Sequence, residues 1–362
     1  MSKNQKINQV QPLVTKNDAK AVYDYLLSGG WVTEHRVTKD FEDKIKEFVN
    51  RKHAVAVPNG TIAIYLALLA SGVKKGDRVA VPNITMIATV NAIIWAGATP
   101  VLIDVEKDLT MSFEKLTYTT KLKAVIFVPL NGRTSNGAEI ELWCKEKNII
   151  LIEDSAHALG SKYSNGKFCG NLGDLSVFSF TPHKIITTGQ GGMVLTNNKK
   201  FEKELIKIKT FNRRKDKIDW HDGFGLNFKI TDMQSALGLS QFSSLNKRIE
   251  HKRKIHSLFQ KVKSDYFKIG SFLNHEVPWF IDLTSNTKKD LNKLKGLLSK
   301  NNIETRTSYP ALSKQKYLRD ISNQDLSYSE KIHEKILWLP SSSDLDEKSI
   351  TKIVKIINNF GY

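Results

Sequence analysis

The chain is poor in cysteine: only Cys144 and Cys169 occur in 362 residues, without metal-type spacing. That excludes a disulfide framework and gives no support to a zinc site. No apolar run reaches membrane-spanning length, and the N-terminus shows no charged-then-apolar leader, so membrane insertion and secretion lack support and a cytoplasmic location is expected. Acidic residues are few beside basic ones, 37 against 55, for a net charge of +18. Such a balance favours anionic partners. The excess concentrates in residues 199–263, with 17 basic and 7 acidic residues including Arg213-Arg-Lys215 and Lys252-Arg-Lys254. Neither recognition-helix chemistry nor interleaved aromatics accompany these clusters, so a solvated lysine-rich surface is favoured over a nucleic-acid interface.

What the chain does have is 40% hydrophobic residues, ample for a large core. Residues 54–198 alternate short β-branched runs with helical stretches, the pattern of a mostly parallel sheet covered by helices. The runs are Ala54-Val57, Arg78-Val81, Pro100-Ile103, Ala124-Val128, Ile149-Glu153, Leu175-Ser179 and Met193-Thr196, seven strands in all. A helix is predicted over Thr61–Ala70, and another over Asn17–Leu27 with Thr15 and Asp18 as its capping box. Beyond Thr231, apolar residues from Met233 to Phe259 recur at helical spacing and suggest one long helix. Then follow a strand at Val277–Leu283 and helices at Asp290–Lys300 and Ser349–Asn358. Two units are expected: residues 1–235, and residues 236–362 entered through the long helix.

Four features carry chemistry. Asn59-Gly-Thr61 opens a helix, where amides and the helix dipole can hold a phosphate; it also reads as an ordinary N-cap. Asp154 closes a buried strand, where a carboxylate needs a cation, such as a protonated pyridine nitrogen, to offset its desolvation. The plain alternatives are a helix N-cap for Asp154 and a satisfied turn histidine for His157. Ser179 offers a hydroxyl, and Lys184 an amine, between an apolar strand and the glycine-rich turn Gly189-Gln-Gly-Gly192. There desolvation can lower an amine's pKa and free its lone pair for imine formation; the plain alternative is a surface lysine beside a tight turn. Asn227, in Gly223-Phe-Gly-Leu-Asn-Phe-Lys229, places an amide beside a basic residue.

This ordered set, with Gly30-Trp-Val-Thr33, Phe41-Glu42 and Glu304-Thr-Arg306, resembles the DegT/DnrJ/EryC1/StrS family of nucleotide-sugar aminotransferases over almost the whole chain. Within the family, the run Lys184-Ile-Ile-Thr-Thr-Gly-Gln-Gly-Gly-Met193 is most like the perosamine-forming branch. The resemblance implies the fold type I (aspartate aminotransferase-like) α/β architecture and pyridoxal 5'-phosphate (PLP), with pyridoxamine phosphate between two half-reactions. Residues 1–235 would be the PLP-binding domain and residues 236–362 the small C-terminal one. By that resemblance Lys184 carries the cofactor imine, Asp154 pairs with the pyridine nitrogen, and His157 lies near the ring oxygen. Gly60, Thr61 and Ser179 hold the phosphate, and Asn227 reaches the cofactor phosphate of a neighbouring subunit, which implies a homodimer with shared sites. Met86 stands where most relatives stack an aromatic residue on the ring; a thioether also packs against such a face. The stretches Leu130-Asn-Gly-Arg133 and Ser308-Tyr-Pro-Ala311 also depart from the usual pattern.

The implied reaction moves an amino group from L-glutamate to C4 of a 4-keto-6-deoxy nucleotide-diphospho-sugar, giving a product of the perosamine or viosamine type. Trp31 and Arg306 are the candidate substrate contacts; a core aromatic and an exposed ion pair are their plain alternatives. Three other functions stay open. A 3-keto sugar could be the acceptor, a 3-dehydratase would follow if His183 rather than Lys184 held the catalytic position, and a non-catalytic basic ligand-binding relative would keep only the fold.

Overall fold

The computed structural model describes residues 6–319, 321 and 324–361. Seven strands form the larger sheet: β1 (His53–Val57), β2 (Arg78–Pro82), β3 (Thr99–Ile103), β4 (Ala124–Phe127), β5 (Ile150–Asp154), β6 (Leu175–Ser179) and β7 (Gly192–Thr196). Their order is β1-β7-β6-β5-β4-β2-β3. The β3-β2-β4-β5-β6 run is parallel throughout, and β7 is antiparallel to both β6 and β1. These strands are almost continuously buried, as expected of strands covered on both faces.

The helices of this half are α1 (Lys16–Leu27), α2 (Arg36–Val49), α3 (Gly60–Ala70), α4 (Ile87–Trp95), α5 (Phe113–Thr117), α6 (Gly137–Glu146) and α7 (Lys199–Lys209). The Thr15–Asp18 capping box opens α1 as expected. In α3, residues Ile62 to Leu68 are all buried, so this helix lies inside the fold with β6 and β7 on one side and α4 and α7 on the others. Burial of each of its Ile and Leu side chains contributes about 1.5–3 kcal/mol.

The apolar period beyond Thr231 belongs to two helices, α8 (Asp232–Ser243) and α9 (Leu245–Phe259), not one. Ser244, at φ −100° and ψ 3°, breaks the run, and its hydroxyl donates to the Gln241 carbonyl and accepts from Arg248. Leu245 and Ile249 pack with Phe41, Phe178 and Phe180 of the larger half. Ile255 and Phe259 pack instead with Ile281, Leu283 and Leu337 of the smaller sheet.

That sheet comprises β8 (Phe267–Ile269), β9 (Ile281–Ser285), β10 (Arg306–Thr307) and β11 (Ile336–Leu339) in the antiparallel order β10-β11-β9-β8. The strand expected at Val277–Leu283 therefore starts later, because Val277 to Phe280 run out against the larger half, with the Trp279 amide donating to the Asn131 carbonyl. Three helices complete the chain: α10 (Lys288–Lys300), α11 (Ser327–Ile332) and α12 (Glu347–Asn358). A buried ion pair, Arg133 to Asp282 at 2.9 Å, fastens the loop after β4 to β9. The N-terminal segment joins the smaller sheet's side, Ile7 bridging Ile303 and the Gln9 carbonyl accepting from Ser341.

Candidate active site

Strand pairing assembles the site. Gly192, the first residue of β7, is paired both with Val57 at the end of β1 and with Ser179 at the end of β6. That double pairing draws the start of α3 alongside Ser179. A Cβ on Gly192 would stand 2.4 Å from the Asn59 carbonyl oxygen, so the approach requires glycine. Because β5 and β6 are parallel, Asp154 and Ser179 emerge from the same carboxyl edge, where open α/β sheets bind ligands.

Above this edge lies a pocket of about 520 Å³. Gly60, Thr61, Met86, Asp154, His157, Ser179, Lys184 and Arg306 all line it. Asn59, not Thr61, caps α3: its side chain accepts from the Ile62 amide. Gly60 and Thr61 belong to the first turn, whose amides have no intrahelical acceptor. A Cβ on Gly60 would meet Ser179 Cβ at 2.9 Å and Oγ at 3.2 Å, so helix start and hydroxyl form a close cradle.

Asp154 is buried; its Oδ2 accepts from Thr89 Oγ1 at 2.8 Å and its Oδ1 from the Ala156 amide at 3.3 Å. No helix follows β5, so the N-cap reading fails. Burial raises the Asp154 pKa, against the hydrogen bonds and the nearby Lys184 charge that lower it. His157 is 6% exposed and its Nδ1 has no partner among the described residues, so the satisfied-histidine reading fails too. Desolvation first, then the charge of Lys184, hold its imidazole well below the usual pKa, and it is neutral at pH 7.

Lys184 sits in a turn, its amide donating to the Thr181 carbonyl, and Gly189 at φ +77° turns the chain back toward β7. Its side chain lines the open pocket and also a small space behind it with His157, Ser179 and Trp279. Desolvation lowers its pKa to about 7, against the Asp154 carboxylate, which raises it; Arg306 pushes it further down. His183 also lines the pocket, its pKa brought down to about 4 chiefly by burial.

Met86 lines the pocket at 43% exposed, and its sulfur accepts from the Ala88 amide. Arg306 makes no ion pair among the described residues, contrary to the plain alternative; its guanidinium lies 5.6 Å from the Tyr309 ring centroid and 5.4 Å from that of Trp338. Two sequence candidates are not brought here. Trp31 is 68% exposed, so it is no core aromatic either, and its carbonyl accepts from Tyr25 Oη. Asn227 is exposed in a segment bridged to Thr210. Thr89 and Trp279 escaped the sequence reading, each reaching the site through tertiary packing with no local motif to mark it; Tyr309 lies in the divergent stretch Ser308-Tyr-Pro-Ala311, but its place in the pocket was not foreseen.

The residues present fit a phosphorylated pyridine aldehyde. A helix start and hydroxyl suit a phosphate, a buried carboxylate suits a ring N–H, and an amine with a pKa near 7 suits an aldehyde. Fold and pocket thus define a class, the PLP-dependent aminotransferases of fold type I. The chain belongs to the DegT/DnrJ/EryC1/StrS aminotransferase family, which it matches over residues 13–358. It is 33% identical to the GDP-perosamine synthase of Escherichia coli O157:H7, with 97% of each chain covered. It is 31% identical to that of Vibrio cholerae, covering 97% of this chain and 98% of the other. A solved structure of similar fold is the putative sugar aminotransferase Spr1654 of Streptococcus pneumoniae in its PMP form. That match has a TM-score of 0.90 at 24% identity, covering 98% of this chain and 97% of the other. Among the described residues no helix is long and apolar enough to cross a membrane.

Proposed function

We propose that this enzyme transfers an amino group from glutamate to C4 of a 4-keto-6-deoxyhexose carried on a nucleotide diphosphate. The observation that carries the reading is the near full-length similarity to two GDP-perosamine synthases. Bound PLP supplies the aldehyde and the electron-withdrawing ring through which the amino group passes from donor to acceptor. In this reading Lys184 holds the cofactor and, once released, its Nζ takes up and returns the proton as general base and acid. Asp154 keeps the ring nitrogen protonated, and neutral His157 lies beside the ring oxygen. Gly60, Thr61 and Ser179 bind the phosphate, and Met86 packs against the ring. Arg306, without a carboxylate partner among the described residues, receives an anionic group of the substrate.

The working unit in this reading is a homodimer. Exposed apolar side chains on α4 and in the 211–228 segment, Trp95, Ile218, Trp220 and Phe224, are what a second copy would cover. Asn227 lies in that segment and would reach the cofactor phosphate of the neighbouring subunit. Trp31 lies outside the pocket, and no substrate contact from it within its own subunit is proposed.

The reading is tested by incubating the PLP-loaded enzyme with glutamate and a panel of 3-keto and 4-keto nucleotide sugars, with products identified by mass and NMR. A 4-amino-6-deoxy product supports it. Amination at C3, or loss of the C3 oxygen without net amine transfer, overturns it.

Two further outcomes follow. Because the Lys184 pKa is lowered to about 7, its neutral form is the minor one below that pH and predominates above. The rate at which cofactor-free protein takes up PLP therefore rises tenfold per unit below pH 7 and levels off above about 8, followed by stopped-flow absorbance. Gly60→Ala puts a methyl group into the cradle at 2.9 Å from Ser179 Cβ. PLP should then bind about tenfold more weakly in equilibrium titration, and because Ser179 on β6 must give way, the melting temperature of the cofactor-free protein should fall by a few degrees.

A further inference from the structure

We propose that Trp279 is a positioning residue for the transfer chemistry: its indole backs both Lys184 and His157, and Lys252 clamps it from behind. The inference rests on Lys184 being the cofactor lysine. Lys184 Nζ lies 4.0 Å from the Trp279 ring centroid, a cation–π distance. On the same indole the His157 ring packs at 3.8 Å, inclined by 31°. Trp279 Nε1 donates to the His183 carbonyl at 2.9 Å, which ties down the residue immediately before Lys184. One side chain from the segment before β9 thus touches three residues of the site, one in the turn after β5 and two in the loop after β6.

What holds Trp279 is equally specific. Its ring stacks on Phe280 at 3.7 Å, and its carbonyl accepts from the Nζ of Lys252, which also donates to the Ser341 carbonyl. Lys252, on α9, is 3% exposed and has no carboxylate partner among the described residues. Burying an amine with carbonyl acceptors alone is costly, and methionine would fill the space without that cost. The fastening it provides runs from α9 to the backbone just before β9 and just after β11, and so to the wall of the pocket.

The test uses cofactor-free protein and trace acylation by acetic anhydride across pH, with the Lys184 peptide quantified by mass spectrometry. The groups facing Lys184 are Asp154 at the end of β5, His157 in the following turn, His183 beside it and Arg306 on β10. Wild type should half-label near pH 7. Trp279→Leu keeps the wall dry but removes the π face that stabilises the ammonium, so the midpoint falls by about one pH unit. In the holoenzyme the same variant should lose about tenfold in kcat with KM for the nucleotide sugar little changed. Trp279→Phe restores a π face and the wild-type midpoint. Lys252→Met shifts the midpoint the same way by less, and adds nothing in the Trp279→Leu background. A midpoint that stays or rises in Trp279→Leu overturns the proposal, whether or not the melting temperature drops. Borohydride reduction of the holoenzyme, with peptide mapping, separately shows which lysine carries PLP; its placement elsewhere refutes the Lys184 reading without bearing on the labelling result.

Discussion

Lys184→Ala lowers amine transfer by at least about 10³–10⁴-fold, the scale of losing a positioned proton-transfer group together with the covalent attachment it provides. The expectation rests on where the side chain sits. Lys184 faces the open pocket on one side and the space shared with His157 and Trp279 on the other, and burial brings its pKa to about 7. An amine so placed can both attack an aldehyde and carry a proton near neutral pH; a surface lysine, which stays protonated up to about pH 10, does neither efficiently. The variant should still fold and still retain PLP through the α3 cradle, while losing the absorbance of the lysine-bound cofactor. Small primary amines added to Lys184→Ala should restore part of the rate, increasingly as pH rises and more of the amine is neutral. His183→Ala serves as the adjacent control and should cost under about tenfold. Equal losses in the two variants would sink the assignment and reopen the dehydratase reading, in which the histidine takes the central position.

The contrast between neighbours shows why the site was only partly legible in the sequence. The seven strands of the larger sheet could be read from their apolar, β-branched runs, and all seven lie within a residue of where those runs put them. Since β5 and β6 run parallel, residues at their ends fall together, so Asp154, Ser179 and Lys184 were expected near one another and line one pocket. The break at Ser244 was hidden, because Phe242, Leu245 and Ile249 keep a helical period through it; the bond from Ser244 Oγ to the Gln241 carbonyl is a local alternative that periodicity does not reveal. Trp279, Tyr309 and Arg306 come from the smaller half. Which face each presents depends on how β9, β10 and β11 pair, and that is settled by tertiary contact. Trp31 shows the converse, an aromatic in a recognisable motif that the chain leaves at its surface.

Asp154→Asn is expected to lower transfer by about 10²–10³-fold while leaving the cofactor attached, the size typical of removing one preorganised electrostatic partner. The carboxylate is buried with two neutral donors, Thr89 Oγ1 and the Ala156 amide. Two such bonds do not offset the desolvation of a full charge, and burial accordingly raises the Asp154 pKa. A protonated ring nitrogen would supply the missing positive charge and be held protonated in return; an asparagine amide carries no charge with which to do so. The substitution also removes an anion that raises the Lys184 pKa. With that negative charge gone, Lys184 in cofactor-free protein should titrate below pH 7, and PLP uptake should reach its plateau at lower pH than in wild type. Thr89→Val removes a hydrogen bond to the carboxylate but keeps the charge, so it should cost about tenfold or less. Transfer reduced less than tenfold in Asp154→Asn would show that the carboxylate does not pair with the ring nitrogen, and an uptake profile displaced to higher pH would show that it does not raise the Lys184 pKa.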